Sequence, residues 1–501
     1  MASAGDFSER PVAHLLFILG VAVLATSLPK QAYAIIDSKT GLAIGLIGAW
    51  RYGWGLLHFG RSVLYRSFVF PRMKRRAAKA VADRPPPPAY FLVTSFRIPT
   101  ATTVEVYRAA IRAALAAPAQ TTIVASIVEM SDQRLIRRLF DAMVKPGDAV
   151  DLVFVRIDGT GKRDALAFGF RAISRLMPPP DAMVAVIDGD SIVPDDLVAR
   201  CYPFFHDPKV GALTTDETAR VNGSKLFKQW YSLRFAQRHI LMSSMGLSRR
   251  VLTLTGRMSM FRASIVCEPN FVRQVEVDFI DHPRFGRFKF LTGDDKSSWF
   301  FLLRSGYEML YLPDVKVVTI EDPPTDSFFG SAAMLMVRWY GNMLRTNGRA
   351  LALGPRRIGA FTWWAILDQR VSMWTCLVGF TSAILATLFV SPFTILVYAI
   401  WILASRYALT LLLLSSRPRV SITYPFLLYF NQIYGSLMKT YIFFRMDRQK
   451  WTRQKTTLKK KTGSSPLAAA RTVETVAFHS ASVLALVALC SWMIGITRFV
   501  P

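Results

Sequence analysis

Residues 183–190, Met-Val-Ala-Val-Ile-Asp-Gly-Asp, decide the fold. Met183 to Ile187 is a short, wholly apolar run that ends on the turn Asp188-Gly189-Asp190. A continuous apolar run of this length suits a parallel strand buried on both faces. The same rhythm precedes it: Tyr90 to Ser95, Thr121 to Val128 and Val150 to Ile157 read as strands, with amphipathic Val104 to Ala116 and Arg163 to Leu176 between them as helices. This is the βαβ order of an α/β domain with a mainly parallel sheet, in which ligands bind beyond the carboxyl ends of the strands. Asp188 and Asp190 fall at such an end.

Outside this domain the chain is greasy. With 501 residues, 52% of them hydrophobic, and a mean hydropathy of +0.28, it has room for one large domain and several membrane spans. Apolar runs near Pro11 to Leu28 and Gly41 to Gly60 read as retained spans, as do Val371 to Val390, Phe393 to Leu414 and Thr475 to Ile496. Between the last two, Tyr424 to Phe444 is broken by Asn431, Gln432 and Lys439 and reads as an interfacial helix. Lys and Arg number 62 against 34 Asp and Glu, and these cations gather beside the apolar runs, where the positive-inside rule accounts for them. That clustering speaks against the rival reading, a non-catalytic tethered protein holding nucleic acid or anionic lipid; nucleic acid is not expected as a partner, and membrane lipid is. The basic stretch from Arg61 to Lys79 places the N-terminus and the large domain in the cytoplasm, leaving the C-terminus outside. Cys201, Cys267, Cys376 and Cys490 are scattered without metal-ligand spacing and read as packing residues.

Several short motifs carry chemistry. Asp188-Gly189-Asp190 is suited to a divalent cation, Mg2+ or Mn2+, bridging a diphosphate, although such turns are also common in loops. Thr160-Gly161-Lys162-Arg163-Asp164 offers a glycine turn and two cations at a helix start, where backbone N–H groups and positive charge can face phosphate. Leu291-Thr292-Gly293-Asp294-Asp295 sets two carboxylates at the start of another helix, either as caps or as the general base that sugar transfer needs. Arg338-Trp339 pairs a guanidinium for diphosphate oxygens with a ring for stacking on sugar. A basic stretch containing Trp451, Thr452 and Arg453 reads as either lipid contact or a mobile lid.

In this order the motifs resemble those of the processive family 2 glycosyltransferases, the inverting synthases of cellulose, chitin, hyaluronan and alginate. The resemblance implies a cytoplasmic GT-A domain, with metal on Asp190, Asp188 near the donor phosphates, and Asp295 of the Asp294-Asp295 pair as base. It further implies donor binding by Lys162, Arg163 and Arg338, acceptor binding by Trp339, Thr292 and Gly293, and a gating loop at Trp451, Thr452 and Arg453. The carboxylate for the nucleotide base falls on Glu129, with Asp132 as the other candidate. Leu335 stands where the family has the glutamine of Gln-x-x-Arg-Trp, and Gly293-Asp294-Asp295 replaces Thr-Glu-Asp.

LTGDDKSSWF, Glu321-Asp322-Pro323-Pro324, RWYGN and LDQRVSMW look most like the mannuronan synthase branch. That branch implies GDP-mannuronic acid as donor, a growing β-1,4-polymannuronate as product, a multi-pass place in the inner membrane, a cyclic-di-GMP-responsive co-polymerase subunit and envelope export components. Another family 2 synthase, or a transferase to a lipid-linked sugar, is the alternative. The expected layout is two N-terminal transmembrane helices in 1–60, a basic, proline-rich linker in 61–89 and the catalytic domain in 90–345. An interfacial helix in 346–370, two transmembrane helices in 371–414, an interfacial helix and gating loop in 415–463, and a last transmembrane helix in 464–501 complete it.

Overall fold

The computed structural model describes residues 7–36, 39–449 and 466–496. The strands are β1 (Ala89–Thr94), β2 (Thr121–Ile127), β3 (Val150–Arg156), β4 (Met183–Asp188), β5 (Ser191–Ile192), β6 (Val210–Val221), β7 (Met258–Arg262), β8 (Phe279–His282), β9 (Gly286–Lys289) and β10 (Glu308–Glu321). Eight of them form one sheet in the order β3-β2-β1-β4-β7-β6-β10-β5, and β8 and β9 make a separate hairpin. From β3 to β4 every pairing is parallel; β7 runs antiparallel to β4 and β6, and β10 returns parallel to β6.

The parallel half follows from its residues. All six positions of β1 and all seven of β2 are buried, as strands covered by helices on both faces must be. Helix Lys162–Arg175 lies on this sheet so closely that a Cβ on Gly169 would come 2.3 Å from Leu92 Cδ1. β1 and β4 run in register from Ala89 opposite Met183 to Thr94 opposite Asp188, so their carboxyl ends finish together.

Around the domain lie long helices. Ala360–Phe389, Thr394–Ser415 and Ala470–Met493 are long and apolar enough to cross a membrane, by length and composition; Pro11–Ser27 is a shorter apolar helix. The second N-terminal run lies in helix Lys39–Leu64, which carries Arg51, His58 and Arg61. Arg51 pairs with Asp368 of the Ala360–Phe389 helix, and His58 Nδ1 lies 2.8 Å from Ser244 Oγ in the helix Lys225–Gly246. Helix Tyr424–Phe443 packs Tyr424, Leu427 and Leu428 against Trp230, Leu335 and Met336.

Two expected segments differ. The stretch 61–89, expected as a basic, proline-rich linker, is helical over much of its length: a π-helical turn, Tyr65–Val69, joins Lys39–Leu64 to helix Phe70–Ala80. Tyr65, Phe70 and Ala77 are buried there while Arg72, Lys74, Arg75, Arg76 and Lys79 stay exposed, so an amphipathic pattern outweighs the charge. Residues 346–370 are not one interfacial helix. Helix Phe328–Ala352 runs into this stretch, a short Pro355–Ile358 turn follows, and Ala360–Phe389 begins, because Gly354 and Gly359 both take positive φ values of 79° and 85° and end each helix.

Candidate active site

A cavity of about 500 Å3 opens beyond the carboxyl ends of β1, β3 and β4. Thr94 and Ser95 come from the end of β1, Gly159, Gly161 and Lys162 from beyond β3, and Asp188, Gly189 and Asp190 from the end of β4. Leu291 to Asp295 close one side, Glu321 to Pro324 another, and Leu335, Arg338, Trp339 and Asn342 of helix Phe328–Ala352 form a further wall.

The turn at β4 is fixed by space. A Cβ on Gly189 would lie 2.7 Å from the carbonyl oxygen of Thr94, so the residue between the two aspartates has no room for a side chain. Gly293 is constrained by conformation and space together: its φ is 87°, and a Cβ would approach Asn342 Cγ to 2.9 Å. This turn puts Asp294 and Asp295 in the first turn of helix Asp294–Ser305, where the helix dipole favours negative charge.

Lys162 joins the two acidic motifs. Its Nζ lies 2.7 Å from Asp188 Oδ1 and 3.4 Å from Asp294 Oδ2. Gly256 makes the room, since a Cβ there would stand 2.9 Å from that nitrogen. Burial pushes the Asp188 carboxyl up, the Lys162 ammonium pulls against it and Asp190 adds to the rise, leaving it at about 6. For Asp294 burial also acts upward, but Lys162 and Arg163 outweigh it and hold the carboxyl below its ordinary value. Asp295 is raised, by burial and then by the neighbouring Asp294. Among the described residues its carboxylate forms no salt bridge. One carboxylate of the pair is therefore tied to a cation, and the other is left more basic than an ordinary aspartate.

Trp339 is held from behind. The Arg234 guanidinium carbon lies 3.5 Å from its ring centroid, and Trp230, tilted against it at 5.9 Å, donates from Nε1 to Asn431 Oδ1 at 2.7 Å. The turn at Gly293 is braced as well. Thr292 Oγ1 donates to Asn342 Oδ1 at 2.7 Å, Arg345 donates to the same oxygen at 2.7 Å and to the Met446 carbonyl at 3.1 Å. Gln449 takes both ends of the approach to the turn, accepting from Leu291 N at 2.9 Å and donating to the Lys289 carbonyl at 2.8 Å.

Of the expected site residues, Asp188, Asp190, Lys162, Thr292, Gly293, Asp294, Asp295, Arg338 and Trp339 share this one cavity. Arg163 does not face it. Its guanidinium is buried and donates to the carbonyls of Val275 and Thr292 and to Ser297 Oγ, so the second cation of the Lys162-Arg163 pair braces the loop that ends in the turn at Gly293. Glu129 is exposed at the start of helix Met130–Met143 and is not part of the cavity wall; Asp132 lies in the first turn of that helix. Trp451, Thr452 and Arg453 lie outside the described residues. Sequence reasoning missed Arg257, which lines the cavity and pairs with Glu217 at 3.2 Å and Glu321 at 2.6 Å, and gave it no motif to be found by. It also missed Asn342, which helical spacing from Arg338 places one turn further along the same wall.

Residues 86–342 match the family described as glycosyltransferase like family 2. The chain is 49% identical over 446 residues to "Glycosyltransferase alg8" of Pseudomonas syringae pv. tomato, covering 89% of this chain and 90% of that protein. It is 48% identical over 451 residues to "Glycosyltransferase alg8" of Azotobacter vinelandii, covering 90% and 91%. Among solved structures, the mannosyltransferase PcManGT from Pyrobaculum calidifontis in complex with GDP-Man and Mn2+ aligns with a TM-score of 0.45 at 15% identity, covering 80% of this chain and 98% of that one. The chain belongs to the family 2 glycosyltransferases: it is a nucleotide-sugar-dependent transferase with a GT-A catalytic domain.

Proposed function

We propose that the chain is a processive, inverting synthase that builds β-1,4-polymannuronate from GDP-mannuronic acid and passes the polymer across the inner membrane. The observation that carries this reading is the meeting of Asp190, Asp295 and Trp339 in one cavity beside helices apolar enough for a bilayer. The two relatives named alg8 support the branch, and the exposed cations of Phe70–Ala80 support a cytoplasmic catalytic face.

In this mechanism Asp295 takes the proton from the hydroxyl at the end of the growing chain, a role suited by its raised basicity and by its making no salt bridge among the described residues. Arg338 and Lys162 hold the diphosphate, and the ring of Trp339 positions the acceptor sugar. Among the described residues no three Asp, Glu, His or Cys side chains gather to hold a metal ion. Asp188 and Asp190 would nonetheless suffice to hold a Mg2+ or Mn2+, since such ions often take only one or two protein carboxylates. When bound, the ion offsets charge on the departing nucleoside diphosphate. A cyclic-di-GMP-responsive co-polymerase subunit and envelope export components are the partners this reading carries, with Trp451, Thr452 and Arg453 in the gating loop.

The test supplies purified protein in membranes with GDP-mannuronate, GDP-mannose, UDP-glucuronate or UDP-glucose. Long polymer from GDP-mannuronate alone, degraded by a mannuronate-specific lyase, is expected. Polymer from a different donor, or transfer of single sugars to lipid, overturns the assignment.

A further inference from the structure

Lys39–Leu64, the turn Tyr65–Val69 and Phe70–Ala80 follow one another without a break, and the large side chains this run exposes change character within one turn. Leu46, Leu57, Leu64 and Phe68 are exposed and apolar; Arg72, Arg75, Arg76 and Lys79 are exposed and cationic. The two parts adjoin, since the Arg72 guanidinium carbon lies 5.9 Å from the Phe68 ring centroid. A second element marks the same level. Arg66 donates to the Ser415 carbonyl and, at 3.3 Å, to the Ser415 hydroxyl, and Ser415 ends Thr394–Ser415, a helix long and apolar enough to cross a membrane. The other side of the run is fixed to the catalytic domain: Tyr65 Oη donates to the Tyr311 carbonyl at 2.7 Å, Phe70 stacks on Phe204 with centroids 5.9 Å apart, and Ala77 is buried. Lys74 pairs with Asp314. Among the described residues the other four cations form no ion pair. Arg72 and Arg76, like Arg75 and Lys79, stand four residues apart, a like-charge spacing that is unfavourable on a helix unless an anion offsets it.

We propose that the outward face of Phe70–Ala80, carrying Arg72, Arg75, Arg76 and Lys79, docks on the phosphate headgroups of anionic phospholipid. Charge complementarity and continuity with the apolar stripe select this occupant: a bilayer covers Leu64 and Phe68 with acyl chains and meets the cations of the next turns with phosphate. An acidic protein would answer the charge and leave the apolar residues beside it uncovered. Because the inner side of the same run grips β10 through Tyr311 and the domain through Phe204, headgroups on the outer side set the height at which the catalytic domain rests on the membrane. The inference needs no assumption about the donor sugar.

The test places the full chain in phosphatidylcholine nanodiscs carrying a trace of photoreactive phosphatidylglycerol or of photoreactive phosphatidylcholine, and measures cross-linking to residues 64–80 by mass spectrometry. At low salt the anionic probe is expected to label this segment about five-fold more than the neutral one. The ratio should fall toward one in 1 M salt and when Arg72→Gln, Arg75→Gln, Arg76→Gln and Lys79→Gln are combined. It should persist when the three arginines become lysine, and when equal charge is removed by Arg134→Gln and Arg138→Gln in helix Met130–Met143. Equal labelling of the wild type by the two probes overturns the proposal and leaves the face to an acidic protein, as does a ratio that the four glutamines do not change. Loss of the ratio in the lysine variant, or in the Arg134 and Arg138 variant, overturns it by showing that the charges of this face are not what the lipid reads. Displacement of the anionic probe by water-soluble glycerophosphoglycerol also overturns it, because a free-phosphate site and not a bilayer surface would then be present.

Discussion

Replacing Asp295 by Asn removes the proposed proton acceptor and changes almost nothing else. The amide fits the same volume, and because Asp295 has no salt bridge among the described residues, Lys162 keeps its contacts to Asp188 and Asp294. A positioned general base contributes about 10²–10⁴-fold. At about 1.36 kcal/mol per ten-fold, the substitution is expected to raise the barrier by roughly 3–5 kcal/mol. The rate of GDP release with acceptor present should fall by that factor, while the donor Kd, read by calorimetry, should stay within about three-fold because diphosphate contacts are untouched. The pH profile gives an independent check. Burial and Asp294 raise the Asp295 carboxyl, so the base takes up a proton as pH falls through a value above that of an ordinary aspartate, and the acid limb should lie correspondingly high. Wild-type turnover in the variant, or an acid limb identical in both proteins, refutes the role.

Lys162→Gln should raise the donor KM with a smaller effect on kcat, whereas Arg163→Met should lower stability by about 2–4 kcal/mol, because the carbonyls of Val275 and Thr292 and the Ser297 hydroxyl lose their donor; donor titration and thermal unfolding separate the two neighbours. Gly189→Ala should cost about 1–3 kcal/mol and impair transfer although both aspartates remain, since the new methyl meets the Thr94 carbonyl; steady-state rates and melting temperature check it. Arg417→Met should destabilise the protein by about 3–5 kcal/mol, because Asp216 is 1% exposed and accepts from Arg417 and His239. Burial works against the Asp216 charge, but those partners hold its carboxyl well below the usual range; its stabilisation is therefore present above the unfolded value and lost only as pH falls through the lower folded one, which acid denaturation of the two proteins measures.

The parallel half of the sheet was legible because β1, β2 and β4 are buried on both faces and so must be apolar throughout. β6, β7 and β10 were not read: β6 carries Asp216 and Glu217, whose charges are neutralised by Arg417, Arg238 and Arg257 from distant parts of the chain. The acidic motifs at Asp188, Asp190, Asp294 and Asp295 were legible because each sits on a turn marked by glycine. Arg163 misled, since adjacent residues at a helix start point in different directions and only Lys162 faces the cavity. Arg257 depends wholly on long-range pairing, and a local pattern holds no trace of such a partner. The join between Lys39–Leu64 and Phe70–Ala80 was hidden by its charge, which lies on one face while three small or aromatic residues take the other.

Helix Phe328–Ala352 does two jobs through residues four positions or fewer apart: Arg338 and Trp339 line the cavity wall, and Asn342 stands close against Gly293 and accepts from Thr292 beside Asp294 and Asp295. The helix thus acts as a shared ruler. In the proposed mechanism, a slide or tilt of this helix would carry the acceptor wall and the Asp295 turn together, so that the distance between them would change little.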